Sequence, residues 1–121
     1  MKKLLVLLAV VSLSGCSTVT KLMPKKYDPA QGDLYIGLKI EIDDLSCKDS
    51  TPEQWRIAEF DARKLAEYSK FRKDPQSDNV ESVRINLSKA SSKSGAVCDN
   101  FLKIARIRLE VLNTTWGSRF L

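Results

Sequence analysis

Between Leu34 and Asp43 the chain alternates without a break. Leu34, Ile36, Leu38, Ile40 and Ile42 fall on one side of an extended backbone, and Tyr35, Gly37, Lys39, Glu41 and Asp43 on the other. Successive side chains of a strand point to opposite faces, so this period of two predicts a half-buried strand. A helix is the competing reading, since Leu34, Leu38, Ile42 and Leu45 also share a helical face, but it leaves Ile36 and Ile40 on the opposite side. Two later runs show the same period: Val83, Ile85 and Leu87, then Ala105, Ile107, Leu109 and Val111. The polar stretch from Ser91 to Gly95 between them suits a hairpin loop that turns at Gly95. For the last run a helix from Val97 to Leu112 stays open, because Phe101, Ala105 and Leu112 also line up.

One segment reads as a helix. Thr51 can cap it, Pro52 suits the first turn, and Gln54 stands where a capping-box partner belongs. Arg56, Glu59, Arg63, Glu67 and Lys70 share one narrow, solvated arc, and the rest of the circumference carries Trp55, Ile57, Ala58, Phe60, Ala62, Leu65, Ala66, Tyr68 and Phe71, a wide apolar arc. Asp74 and Pro75 end it. The order is therefore strand, helix, strand, strand: an α+β domain in which a small three-stranded sheet packs on one helix, with an all-α bundle as the alternative.

The start of the chain is of a different kind. Lys2 and Lys3 precede an apolar run from Leu4 to Leu13, followed by the small residues Ser14 and Gly15. A run of about ten residues is half of what a bilayer span takes, so residues 1–15 read as a secretory signal that is removed. Leu13-Ser14-Gly15-Cys16 resembles the lipobox of bacterial lipoproteins. That resemblance implies a diacylglycerol on the Cys16 thiol and acylation of its freed amine, which holds the protein to a lipid bilayer. It also implies sorting: Ser17, where an Asp would favour inner-membrane retention, points to the outer membrane, with the domain facing the periplasm. Residues 16–33, polar and carrying Pro24, Pro29 and Gly32, read as the lipidated N-terminus and a tether, and residues 34–121 as the globular domain.

With Cys16 lipidated, Cys47 and Cys98 are the two thiols left, and an even pair in an oxidising periplasm reads as a disulfide; two buried free thiols are the alternative. Loss of Lys2 and Lys3 takes the formal net charge from +5 to +3, dispersed along the chain. Nucleic-acid binding would need a dense basic stripe or aromatic platforms, and is set aside. The chain has no histidine, which excludes a Ser-His-Asp or Cys-His centre and any histidine metal site. Asp43, Asp44 and Asp49 lack the spacing of a calcium loop and read as a solvated turn. The serines around Lys89 and Lys93 read as a polar loop rather than a Ser-Lys nucleophile. No catalytic residue, metal site or cofactor is expected. Phe60, Tyr68, Phe71 and Trp116, with the terminal Phe120, are the candidate partner-binding face, against the plainer reading that they pack the core.

The stretch from about Ile40 to Thr115 resembles the Rcs-type envelope-stress sensor lipoproteins and their small outer-membrane relatives. The resemblance lies in the order of parts: a strand into Leu45-Ser46-Cys47, a helix with Ala62-Arg63-Lys64, Val80 to Leu87, a Ser94-Gly95 turn before Cys98, and a last strand ending Asn113-Thr114-Thr115. It implies a strand-helix-strand-strand domain, a Cys47 to Cys98 bond, and action by protein contact. The expected function is thus a membrane-anchored lipoprotein that binds an envelope protein, as sensor, assembly or secretion factor. The alternative is a phage-borne or structural envelope lipoprotein, spanin-like or an exclusion factor.

Overall fold

A computed structural model describes residues 28–120, with side chains for residues 28–119. The signal segment, Cys16 and residues 16–27 of the predicted tether lie outside the described residues. Four helices follow in order: α1 (Pro29–Asp44), α2 (Pro52–Phe71), α3 (Ser77–Ser91) and α4 (Gly95–Gly117), with a closing 3₁₀ turn at Ser118–Phe120. No strand occurs among the described residues, so the three-stranded sheet is wrong and the all-α bundle is what the chain builds.

The start of α1 shows why the alternating run is helical. Asp28 caps it, accepting from the backbone N–H of Ala30 at 2.8 Å and of Gln31 at 3.4 Å, and Pro29 takes a first-turn position where its missing N–H costs nothing. Residues 29–33, read from sequence as tether, are therefore helix. Along α1 the buried side chains are Gln31, Tyr35, Leu38 and Ile42, the three-and-four spacing of one helical face. Ile36 and Ile40 are left 55% and 58% exposed. In α3 the buried set is Val80, Val83, Leu87 and Ala90, and in α4 it is Cys98, Leu102, Ala105, Leu109, Leu112 and Trp116. Ile85 and Ile107, placed inward by the strand pattern, face solvent instead.

The expected capping box opens α2: Thr51 Oγ1 accepts from Gln54 N at 3.2 Å, and Gln54 Oε1 accepts from Thr51 N at 2.8 Å. Its inner face is built from Leu65 and from Ala58, Ala62, Ala66 and Ser69, small residues that let neighbouring helices approach closely. Gly95 opens α4 just after the turn from α3, with φ +59°, a conformation that glycine adopts without a Cβ clash.

The helices form a ring in chain order. Each packs on the next, α1 also meets α4, and the diagonal pairs do not pack directly. The α1–α4 seam is the thinnest, and side-chain bonds reinforce it. Tyr35 OH donates to the Leu109 carbonyl at 3.0 Å, and Arg106 Nη2 donates to the carbonyls of Ile42 (3.2 Å) and Leu45 (2.8 Å) at the end of α1.

At the end of the bundle where α1 finishes and α4 begins, Cys47 of the α1–α2 loop is bonded to Cys98 in the first turn of α4, with Cα atoms 6.0 Å apart. The bond closes a loop of 51 residues, for which chain entropy alone gives a stabilisation of about 4 kcal/mol. Cys47→Ser and Cys98→Ser should each lower the thermal midpoint by ten degrees or more on the order-of-magnitude scaling for a domain this size. The double variant should be no worse than either, since each single change breaks the same bond. Thermal unfolding followed by circular dichroism checks both statements; additive losses would contradict the bond.

Candidate functional site

At the opposite end of the bundle a buried polar knot joins all four helices. Asp74, in the α2–α3 turn, has a fully buried side chain and is gripped by Arg119: Nη1 to Oδ2 at 2.7 Å and Nη2 to Oδ1 at 3.0 Å. Gln31 of α1 donates through Nε2 to Asp74 Oδ2 (3.1 Å) and to Ser69 Oγ of α2 (3.3 Å). Trp116 of α4 donates its indole N–H to Asp74 Oδ1 at 3.4 Å, and the backbone N–H of Gln76 reaches the same oxygen at 2.9 Å. The Arg119 guanidinium also lies over the Trp116 ring, 5.8 Å from its centre. A buried charge needs both a partner and hydrogen bonds, and Asp74 has them from every side. Burial pushes its carboxyl up, but Arg119, Gln76 and Gln31 outweigh burial and bring its pKa down to about 2.

A second layer surrounds the knot. Arg72 pairs with Asp28 at 2.8 Å, and Tyr68 OH donates to the same Asp28 oxygen. Between the start of α1 and the end of α4 lies a cleft of about 110 Å³, lined by Tyr35, Ile36, Asn113 and Trp116 among others. Drug-sized ligands take roughly 300 Å³ or more, so the cleft suits a few waters rather than a substrate.

The partner-binding residues expected from sequence are not one face. Trp116 is core, packed edge-on against Tyr35 with ring centres 5.7 Å apart, and Tyr68 is half-buried in the layer around the knot. Phe60 and Phe71 are exposed, at 60% and 84%. They share the outer side of α2, eleven positions and about 16 Å apart. Phe60 sits in a groove with Arg56, Arg63 and Arg84. Sequence reasoning missed the apolar outer sides of α1 and α4, where Ile36, Ile40 and Ile107 stand exposed; the signal was the helical alternative for Leu34 to Ile42, which sends those isoleucines outward. Asp74 and Arg119 were missed as a pair because 45 positions separate them.

The carboxylate and serine clusters do plain structural work. Asp43 pairs with Lys39 at 2.8 Å, and Lys39 also reaches Glu110 at 3.5 Å across the α1–α4 seam. Ser92 bonds the carbonyl of Lys89, and Lys89 lies over the Phe101 ring. No group of three or more metal-ligating side chains is assembled among the described residues.

No protein-family model, curated protein or solved structure matches this chain.

One ionisable contact works against the fold. Glu41 of α1 faces Asp61 of α2, and burial together with that neighbouring carboxylate raises the Glu41 pKa to about 7. Glu41 Oε2 is buried without a partner. A carboxyl whose folded pKa is raised stabilises fully below its unfolded value, near 4.5, and loses that contribution as pH rises through about 7. Asp74 has the opposite sign: its contribution is present above about 4 and is lost as pH falls towards 2. Glu41→Gln, which mimics the protonated acid, should therefore raise the midpoint by several degrees at pH 8 and leave it unchanged at pH 4. Thermal unfolding at the two pH values checks this, and an equal shift at both would contradict it.

Proposed function

We propose that this protein is a lipid-anchored envelope lipoprotein whose helical bundle acts by protein contact, as a structural or exclusion-type factor encoded by a phage or its host. The anchor rests on the lipobox-like Leu13-Ser14-Gly15-Cys16, and outer-membrane placement on Ser17. The contact role rests on one observation above all. A bundle with a complete core still leaves Phe60, Phe71, Ile36, Ile40 and Ile107 more than half exposed. Large apolar side chains clustered on outer faces mark surfaces that another molecule covers.

The structural reading is preferred to the sensor reading on physical grounds. The strand-helix-strand-strand domain implied by the sensor resemblance is replaced by a helical ring, clamped by a disulfide at one end and a buried ion pair at the other. Such a body presents fixed surfaces. Eleven residues separate Cys16 from Asp28, and they reach about 40 Å at most, which keeps those surfaces next to the membrane. Among the described residues no helix is long and apolar enough to cross a membrane, so attachment in this reading falls to the acylated Cys16.

Cys16→Ala should abolish palmitate labelling and release or stall the precursor. Metabolic labelling and membrane fractionation test this, and labelled lipid persisting on the variant would refute the anchor.

A further inference from the structure

The end of the bundle that holds the Asp74 knot is also the end at which the chain arrives from the anchor. Asp28, the first described residue, pairs with Arg72 at 2.8 Å and accepts from Tyr68 OH, so residues 16–27 join the body beside the close of α2. Phe71, the last residue of α2, stands at that point and is 84% exposed, more than any other large apolar side chain among the described residues. Lys73 and Pro75 of the α2–α3 turn are exposed at the same end, as is Ser118 of the closing turn.

Within the body the charges of this end come close to cancelling. Asp28 is held by Arg72 and Asp74 by Arg119, and Glu67 and Glu81 both lie beside Lys70. Lys73 is exposed, and so are Asp33 and Asp78. The excess comes from the stretch that leads in: residues 17–27 carry Lys21, Lys25 and Lys26 and no acid. A bilayer with anionic headgroups attracts such a stretch, and the end it leads to does not repel one.

We propose that this end of the bundle rests on the lipid surface, with the Phe71 ring inserted at the boundary between headgroups and acyl chains. The inference adds a second membrane contact to the anchor of the reading above and rests on that anchor. Chain length identifies the occupant. The eleven residues between Cys16 and Asp28 reach about 40 Å when fully extended and roughly 20 Å as a coil, so a ring beside Asp28 is held within reach of the bilayer at all times. The combination is that of an interfacial contact, in which a large apolar group enters the boundary layer and neighbouring lysines meet anionic headgroups. It also fixes the orientation of the body: the disulfide, at the opposite end, and Lys93 of the α3–α4 turn point away from the membrane.

The test uses the full acylated chain in vesicles of phosphatidylethanolamine and phosphatidylglycerol that carry a nitroxide quencher at headgroup depth. An environment-sensitive fluorophore is attached at Pro75→Cys or Ser118→Cys, at the knot end, or at Lys93→Cys, at the far end. Cys47 and Cys98, being bonded, do not take the label. Quenching at positions 75 and 118 should exceed that at 93 several-fold. Adding Phe71→Asp should reduce it several-fold while circular dichroism stays that of the parent, since the ring is exposed. Labels at 75 and 118 that are quenched no more than the one at 93, or quenching that Phe71→Asp leaves unchanged, would overturn the proposal. Flotation of the vesicles reads the anchor separately: a chain that floats with its knot end in water rejects the surface contact alone, and a chain that does not float rejects the anchor and this inference with it.

Discussion

Among the described residues Asp74 is the charged residue whose side chain is buried completely, and the arrangement of the helix ends follows from the need to satisfy it. The turn that delivers it is strained. Lys73 sits at φ +55°, where a side chain is disfavoured, so that Lys73 N can bond the Lys70 carbonyl and Asp74 N the Ser69 carbonyl, the pattern that closes a helix with a left-handed residue. The reversal turns the carboxylate inward, where Gln31, Trp116 and Arg119 converge on it. Removing any one partner would leave polar groups buried without hydrogen bonds, which costs more than the bond itself contributes. The knot therefore sets where α1 starts and where α4 ends.

The disulfide does the corresponding task at the other end, by a different physical route. It acts mainly on the unfolded chain, which it shortens, while the knot acts on the folded one. Between the two, the middle of the bundle is ordinary apolar packing of Leu38, Ile42, Leu65, Leu87, Leu109 and Leu112. The seam between α1 and α4 is thin by comparison, and it carries hydrogen bonds from Tyr35 and Arg106 together with the Lys39–Glu110 bridge. Glu41 against Asp61 is a repulsive contact across α1 and α2, and it makes that junction weaker at neutral pH than in mild acid. A body clamped in this way keeps its outer faces fixed, which is what a role by surface contact requires.

How much of this was legible in the sequence varies by element. The start of α2 was fully readable, because Thr51, Pro52 and Gln54 are local signals that act within one turn. The Cys47–Cys98 pairing is what the cysteine count and the expected periplasmic compartment imply, and the two sulfurs are bonded. The helices α1, α3 and α4 were misread as strands, since Leu34 to Ile42 satisfies period two while Leu34, Leu38, Ile42 and Leu45 satisfy period 3.6 equally well. With Gly32, Gly37 and three isoleucines, α1 has weak intrinsic preference for a helix, so the packing of the bundle decides. The local signal for the helix is the Asp28-Pro29 cap, although a proline beside Gly32 in a polar stretch marks a tether equally well. The candidate face was half legible: Phe60 and Phe71 are exposed as expected for a surface, whereas Trp116 is drawn inward by its indole bond to Asp74. That bond, like the Arg119 pair, joins residues far apart in the chain, and nothing local announces it.

The central claim is that Asp74 and Arg119 act as one unit on which the packing of all four helices depends, and a double-mutant cycle measures this directly. Asp74→Ala, Arg119→Ala and the double variant would be unfolded by urea at pH 7, with the disulfide intact in each. The account predicts that each single change costs roughly 3 kcal/mol or more, because it strands a buried charge. It also predicts that the double change costs about as much as the worse single one, a coupling on the order of 2 kcal/mol. Single losses that simply add, or an Asp74→Ala variant as stable as the parent, would contradict it.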